Sequence, residues 1–169
     1  PCTHHPLEPR PPVTASFSQS EINAMNLIEV LSDQTIDLAV DAKNMDEVLE
    51  RLVDVLIRAG VVTDRDIVLS DIRKREEVMS TGIGGGIAIP HAQSRGATRL
   101  AVALGRTSRE IDFNSLDGRP VQLFFLVVGP EERGGYIRVL ARISRLLYSG
   151  ELQKSLGQIY ENLCEFIVA

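Results

Sequence analysis

The chain is poor in cysteine: Cys2 and Cys164 are its only two, and they stand near opposite ends. That leaves neither metal-ligand nor redox spacing, so reduced thiols in a cytosolic protein are expected. Histidine is also scarce, with three in all, His4, His5 and His91. The pair His4-His5 lacks a third ligand or a scaffold, and His91 has no second histidine to join it, so no metal is expected. Positive charge is in deficit, with 18 Lys and Arg against 23 Asp and Glu and a net charge of −5. A nucleic-acid backbone is therefore a poor partner. No apolar run approaches the roughly 20 residues of a membrane span, which argues against direct membrane insertion. The first residues lack the charged-then-apolar layout of a signal peptide.

Several catalytic signatures are missing as well. There is no Gly-x-Ser-x-Gly nucleophile elbow. The glycine-rich run lacks the Gly-Lys-Ser/Thr ending of a nucleotide-binding loop. Its Gly82-x-Gly84-x-Gly86 pattern leads into a strand where a dinucleotide fingerprint needs a helix. No cofactor is expected.

What is present suits one domain: 169 residues, 44% hydrophobic and 24% charged. Residues 1–24 hold five of the eight prolines together with His4 and His5. Such a segment cannot offset its ordering entropy and is expected to be disordered. Met25 reads as a natural start, so the folded domain is expected to be residues 25–169. A short entry helix or turn over 27–32 and a strand near 35–38 come first. Asn44 and Glu47 form a capping-box-like start. Leu49, Leu52, Val53, Leu56 and Ala59 then follow helical spacing until Gly60. Thr63 is expected to cap a second helix that runs to about Met79, making a helical hairpin. Leu100–Leu104 reads as a strand, and Val121–Val128 as a central strand buried on both faces. A helix over 131–148 is expected to bury Ile137, Leu140, Ala141, Ser144, Leu147 and Tyr148. Arg138, Arg142 and Arg145 form a basic stripe on it, read as a solvated face. One or two helices over 152–167 close the chain, with Cys164 on their apolar face.

Thr81 to Ala92 organises the rest. Glycines there can take positive φ and offer bare N–H groups to an oxyanion. Ile87–Ile89 reads as a brief buried strand stopped by Pro90, which delivers His91 at a strand end. A histidine there can be a base, a nucleophile or a satisfied core residue. Phosphoryl transfer to the imidazole uses all the parts. A neutral ring nitrogen needs no base, and backbone amides can offset charge on the phosphoryl oxygens.

Arg75-Glu76-Glu77, Ser80-Thr81-Gly82-Ile83-Gly84 and Ile87-Ala88-Ile89-Pro90-His91-Ala92 together resemble the active-site region of type-2 enzyme IIA proteins. These belong to the fructose/mannitol/nitrogen branch of the bacterial phosphoenolpyruvate-dependent phosphotransferase system. The resemblance covers the chain from about Met25 onward. It implies an α/β fold, a mixed β-sheet flanked by helices on both faces. It also implies that His91 takes a phosphoryl group from phospho-HPr and passes it to an enzyme IIB component or uses it as a regulatory signal. Arg75 would bind phosphate, with Thr81, Gly84, Gly85, Gly86 and Tyr136 in support. Many family members carry a second histidine where this chain has Tyr136. A tyrosine can donate a hydrogen bond but carries no positive charge. That difference keeps a second function open, a regulatory protein-binding module with weak or no phosphotransfer.

Overall fold

The computed structural model describes residues 30–131 and 135–148. The expected tail over 1–24 and the closing helices over 152–167, with Cys164, lie outside them. A 3₁₀ turn, Asp33–Thr35, leads into β1 (Ile36–Val40), then α1 (Met45–Arg58) and α2 (Arg65–Val78). Three short strands follow, β2 (Gly82–Gly84), β3 (Ile87–Ala88) and β4 (His91–Gln93). Two long ones, β5 (Ala101–Ile111) and β6 (Val121–Gly129), precede α3 (Tyr136–Tyr148). The sheet order is β1-β5-β6-β3-β2, with β4 also paired to β6. β6 runs antiparallel to β5 and parallel to β3 and β4. The sheet is therefore mixed.

Its two faces are covered by different helices. Val48, Leu49, Leu52 and Leu56 of α1 and Val68, Leu69 and Ile72 of α2 pack on one face with Phe124, Leu126 and Val128. Tyr136, Val139, Ile143 and Leu147 of α3 pack on the other with Ile87, Val102, Leu123 and Val127. β6 thus feeds both cores in alternation, which is why its sequence is almost wholly apolar.

The cap of α1 follows the sequence reading. Asn44 Oδ1 accepts from Glu47 N–H at 2.9 Å, and Glu47 Oε2 accepts from Lys43 N–H at 2.8 Å. The second cap is displaced by one residue. Asp64, extended at φ −131°, accepts from Ile67 N–H, while the Thr63 hydroxyl donates to Gly96 O at 3.2 Å. The buried stripe of α3 is also rotated. Tyr136, Val139, Ile143 and Leu147 face the sheet, and Ile137 is 68% exposed. Residues 136, 139, 140, 143 and 147 form an i, i+3, i+4 series, and 137, 140, 141, 144 and 148 form one of identical spacing, so packing on the sheet selects the first.

β3 ends before Pro90, as expected, and Pro90 lies between β3 and β4. Its carbonyl accepts from Val127 N–H at 2.9 Å, so the missing proline N–H costs nothing toward β6 and pairing resumes at His91. Gly82 has a different constraint. A Cβ there would press on Ser115 Oγ and stand 2.9 Å from Ser115 Cα, so backbone would have to move. Gly82→Ala is expected to cost about 1–3 kcal/mol of stability in denaturant unfolding. A loss of only a few tenths would mean that the 115 loop gives way freely.

Candidate active site

Alternation along β4 decides where His91 points. Ala92 is buried on the α1–α2 face. His91 therefore projects to the opposite face beside its register partner Val127. Tyr136, the first residue of α3, stands on that face, its ring centroid 6.2 Å from the imidazole. Arg75 reaches the same ring from the last turn of α2, which its positive charge also favours.

Two hydrogen bonds fix the tautomer of His91. Ile89 O lies 2.7 Å from Nδ1 and can only accept, so Nδ1 carries the proton. Arg75 Nε–H lies 3.1 Å from Nε2 and can only donate, so Nε2 presents its lone pair. The ring is a neutral imidazole with its nucleophilic nitrogen facing the guanidinium. Arg75 Nη1 donates to Met79 O at 3.0 Å, which holds the guanidinium against the end of its own helix. Two residues earlier, Arg73 is tied instead to Asp46 and Glu50 of α1.

Burial holds the His91 pKa below its ordinary 6.5, and the Arg75 charge lowers it further, against the Ile89 carbonyl and the Glu76 charge, which raise it. Below pH 6.5 the unfolded chain takes up a proton that the folded ring resists. Stability from this group is therefore complete above 6.5 and falls as pH drops toward the folded value. An NMR titration of the His91 ring is expected to give a midpoint under 6.5. A midpoint at or above that value would contradict the buried, arginine-facing geometry.

An open cleft of about 360 Å³ lies over the ring, lined among others by Asp71, Lys74, Arg75, Gln93, Tyr136 and Leu140. Lys74 and Asp71 were not singled out in the sequence. Their signal was the i, i+3, i+4 spacing of 71, 74 and 75, which puts them on one helix face. Glu76 was missed too. It reads as part of a solvated charge run, yet it is 9% exposed. Its carboxylate accepts from both Thr81 N–H (2.7 Å) and the Thr81 hydroxyl (2.6 Å).

Residues 29–167 match the family described as phosphoenolpyruvate-dependent sugar phosphotransferase system, EIIA 2. The chain belongs to this family. Over 133 residues this EIIA chain is 38% identical to the fructose-specific EIIABC component of Bacillus subtilis, covering 78% of its own length and 21% of that protein's. It thus spans about a fifth of that relative. It is 31% identical over 135 residues to a nitrogen regulatory protein of Bradyrhizobium diazoefficiens, covering 78% of this chain and 86% of that one. The crystal structure of nitrogen regulatory protein IIA-Ntr from Neisseria meningitidis superposes with a TM-score of 0.69 at 29% identity, over 76% of this chain and 88% of that one. Among the described residues of this EIIA chain, no helix is long and apolar enough to cross a membrane.

The glycine run of this EIIA domain is not where the sequence suggested. Gly84 closes β2, and Gly85 and Gly86 form the turn into β3, all three at positive φ. Gly86 O accepts from the amides of Gln122 and Leu123, while His91 pairs with Val127. The turn thus lies four to five residues away along β6, about 13–17 Å at the usual strand rise. The Gly85 amide is already bound to Asp117 Oδ2 at 2.9 Å. These glycines close a hairpin and do not cradle a group on His91. Thr81 lies closer, but its hydroxyl and amide are both held by Glu76. Tyr136 is at the ring as expected, and burial pushes its hydroxyl pKa well up, so it stays a neutral donor.

Proposed function

We propose that this EIIA chain is a phosphocarrier that accepts a phosphoryl group on Nε2 of His91 and passes it on. The observation that carries this reading is the ring's fixed tautomer, with Nε2 unprotonated and a guanidinium within hydrogen-bond reach. Nε2 attacks phosphorus with its lone pair, and the bond from phosphorus to the donor breaks, the electron pair leaving with the donor. No base is needed. Arg75 gives up its contact with Nε2 as the group arrives, and its Nη2 group and Lys74 meet the phosphoryl oxygens. The donor would be phospho-HPr. The acceptor would be an enzyme IIB component in sugar uptake, or the phosphorylated state would itself be the signal. Exposed Val78 and Met79 at the end of α2, and Ile137 on α3, suit docking of protein partners around the cleft.

A second reading, a regulatory binding module with weak phosphotransfer, draws on one observation. Tyr136 supplies a neutral hydroxyl where an imidazole could have supplied charge. One experiment separates the two. The protein is incubated with phosphoenolpyruvate, enzyme I and HPr, and intact mass and acid lability are read for wild type beside His91→Ala. A single acid-labile phosphoryl on wild type alone is expected. Its absence from wild type would leave the binding module as the better reading.

A further inference from the structure

The site contains a buried charge that phosphoryl acceptance at Nε2 does not itself call upon. Glu76 follows Arg75 on α2 but turns inward, and its carboxylate begins a hydrogen-bonded path to the ring. Its oxygens accept from the amide and hydroxyl of Thr81. Thr81 O accepts from Ile89 N–H at 3.0 Å. Ile89 O accepts from His91 Nδ1–H at 2.7 Å. Each member holds the next in place, and the last is the group that decides which ring nitrogen is free.

A neutral side chain could have satisfied Thr81. Taking a carboxylate out of water carries a desolvation penalty that a neutral acceptor avoids, so the charge calls for a use beyond holding a turn. Resting on the phosphocarrier reading, we propose that Glu76 is a positioning residue for His91. Through Thr81 and Ile89 it keeps the ring proton on Nδ1, and its charge favours the cationic ring formed on phosphorylation. When Nε2 forms its bond to phosphorus and the donor departs, Nδ1 keeps its proton and the ring becomes positive. That cation is stabilised by the Ile89 carbonyl and by the negative field of Glu76. It is also the form from which the phosphoryl group leaves most readily, since the departing ring is a neutral imidazole.

The same field acts on the unphosphorylated ring, where the Glu76 charge raises the His91 pKa against burial and Arg75. Among the described residues, the charged and titratable groups facing this ring are Asp71, Lys74, Arg75 and Glu76 from α2 and Tyr136 from α3. β6 contributes the apolar Val127.

The test uses the full chain, ¹⁵N-labelled at the imidazole, in wild type, Glu76→Gln, Thr81→Val and Thr81→Ser. Glu76→Gln is expected to lower the His91 titration midpoint further. It should also slow phosphoryl arrival from phospho-HPr by about tenfold, by analogy with the cost of removing the partner behind a metal-bound histidine. Thr81→Val, which deletes one leg of the path at nearly constant shape, should shift both readouts in the same direction. Thr81→Ser should restore them. A folded Glu76→Gln with an unchanged midpoint and rate would overturn the proposal. If Glu76→Gln fails to fold, the Thr81 pair decides, and a Thr81→Val defect that serine does not rescue overturns it equally. The ring titration needs no phosphorylation. A wild type that takes no phosphoryl group would therefore defeat the phosphocarrier reading without touching the titration result.

Discussion

Arg75→Ala is expected to slow phosphoryl arrival at His91 by about 10²–10³-fold, the usual cost of removing a preorganised donor from developing oxyanion charge. The fold should survive. Arg75 is half-buried at the last turn of α2, and its bonds go to His91 and Met79 O, not to the core. Arg75→Lys should recover only part of the rate. Lysine restores the charge but not the planar fork that can bind two phosphoryl oxygens together. Losing Arg75 also removes one of the influences that lower the His91 pKa. The ring midpoint should then rise, and the acid limb of the rate profile should move to higher pH. Single-turnover transfer from phospho-HPr across a pH series reads both effects. A loss under about threefold would move the main charge compensation to Lys74 or to the partner protein, since one lost donor ordinarily costs far more.

Phe124→Ala carries the largest expected effect on stability, about 3–5 kcal/mol. Phe124 is fully buried in β6, packs against α1 and α2, and meets Phe113 at a centroid distance of 5.5 Å with the rings tilted by 57°. A neighbour cannot fill the space, because β6 is bonded on one side to β5 and on the other to β3 and β4. The denaturant midpoint should fall with little change in the slope of unfolding free energy against denaturant. A cost under about 1 kcal/mol would mean that the sheet collapses onto the cavity, contrary to the cost usual for a buried ring. Function should persist in whatever fraction stays folded. His91 is placed by the pairing of β4 with β6, and Phe124 points to the opposite face.

The sequence by itself determined the elements whose cause is local. Asn44 and Glu47 mark the start of α1 because their bonds close within four residues. Val121–Val128 could be recognised because a strand buried on both faces loses its polar alternation. Scarcity singled out His91. The phase of α3 was only half legible, since Leu140 and Leu147 fit a stripe begun at either Tyr136 or Ile137, and the sheet chooses between them. The family resemblance named Arg75 and Tyr136 beside His91, but tertiary structure alone decided the geometry of the site. The contact from Arg75 to His91 spans 16 positions and depends on the end of α2 meeting the end of a strand. The glycine run, close to His91 in sequence, is carried away from it because β3 and β4 run on along the same neighbour, β6. Glu76, which reads as a solvated charge, turns inward because Thr81 has two donors to satisfy there. Periodicity reports which face a residue shares, whereas strand register and helix packing set which faces meet.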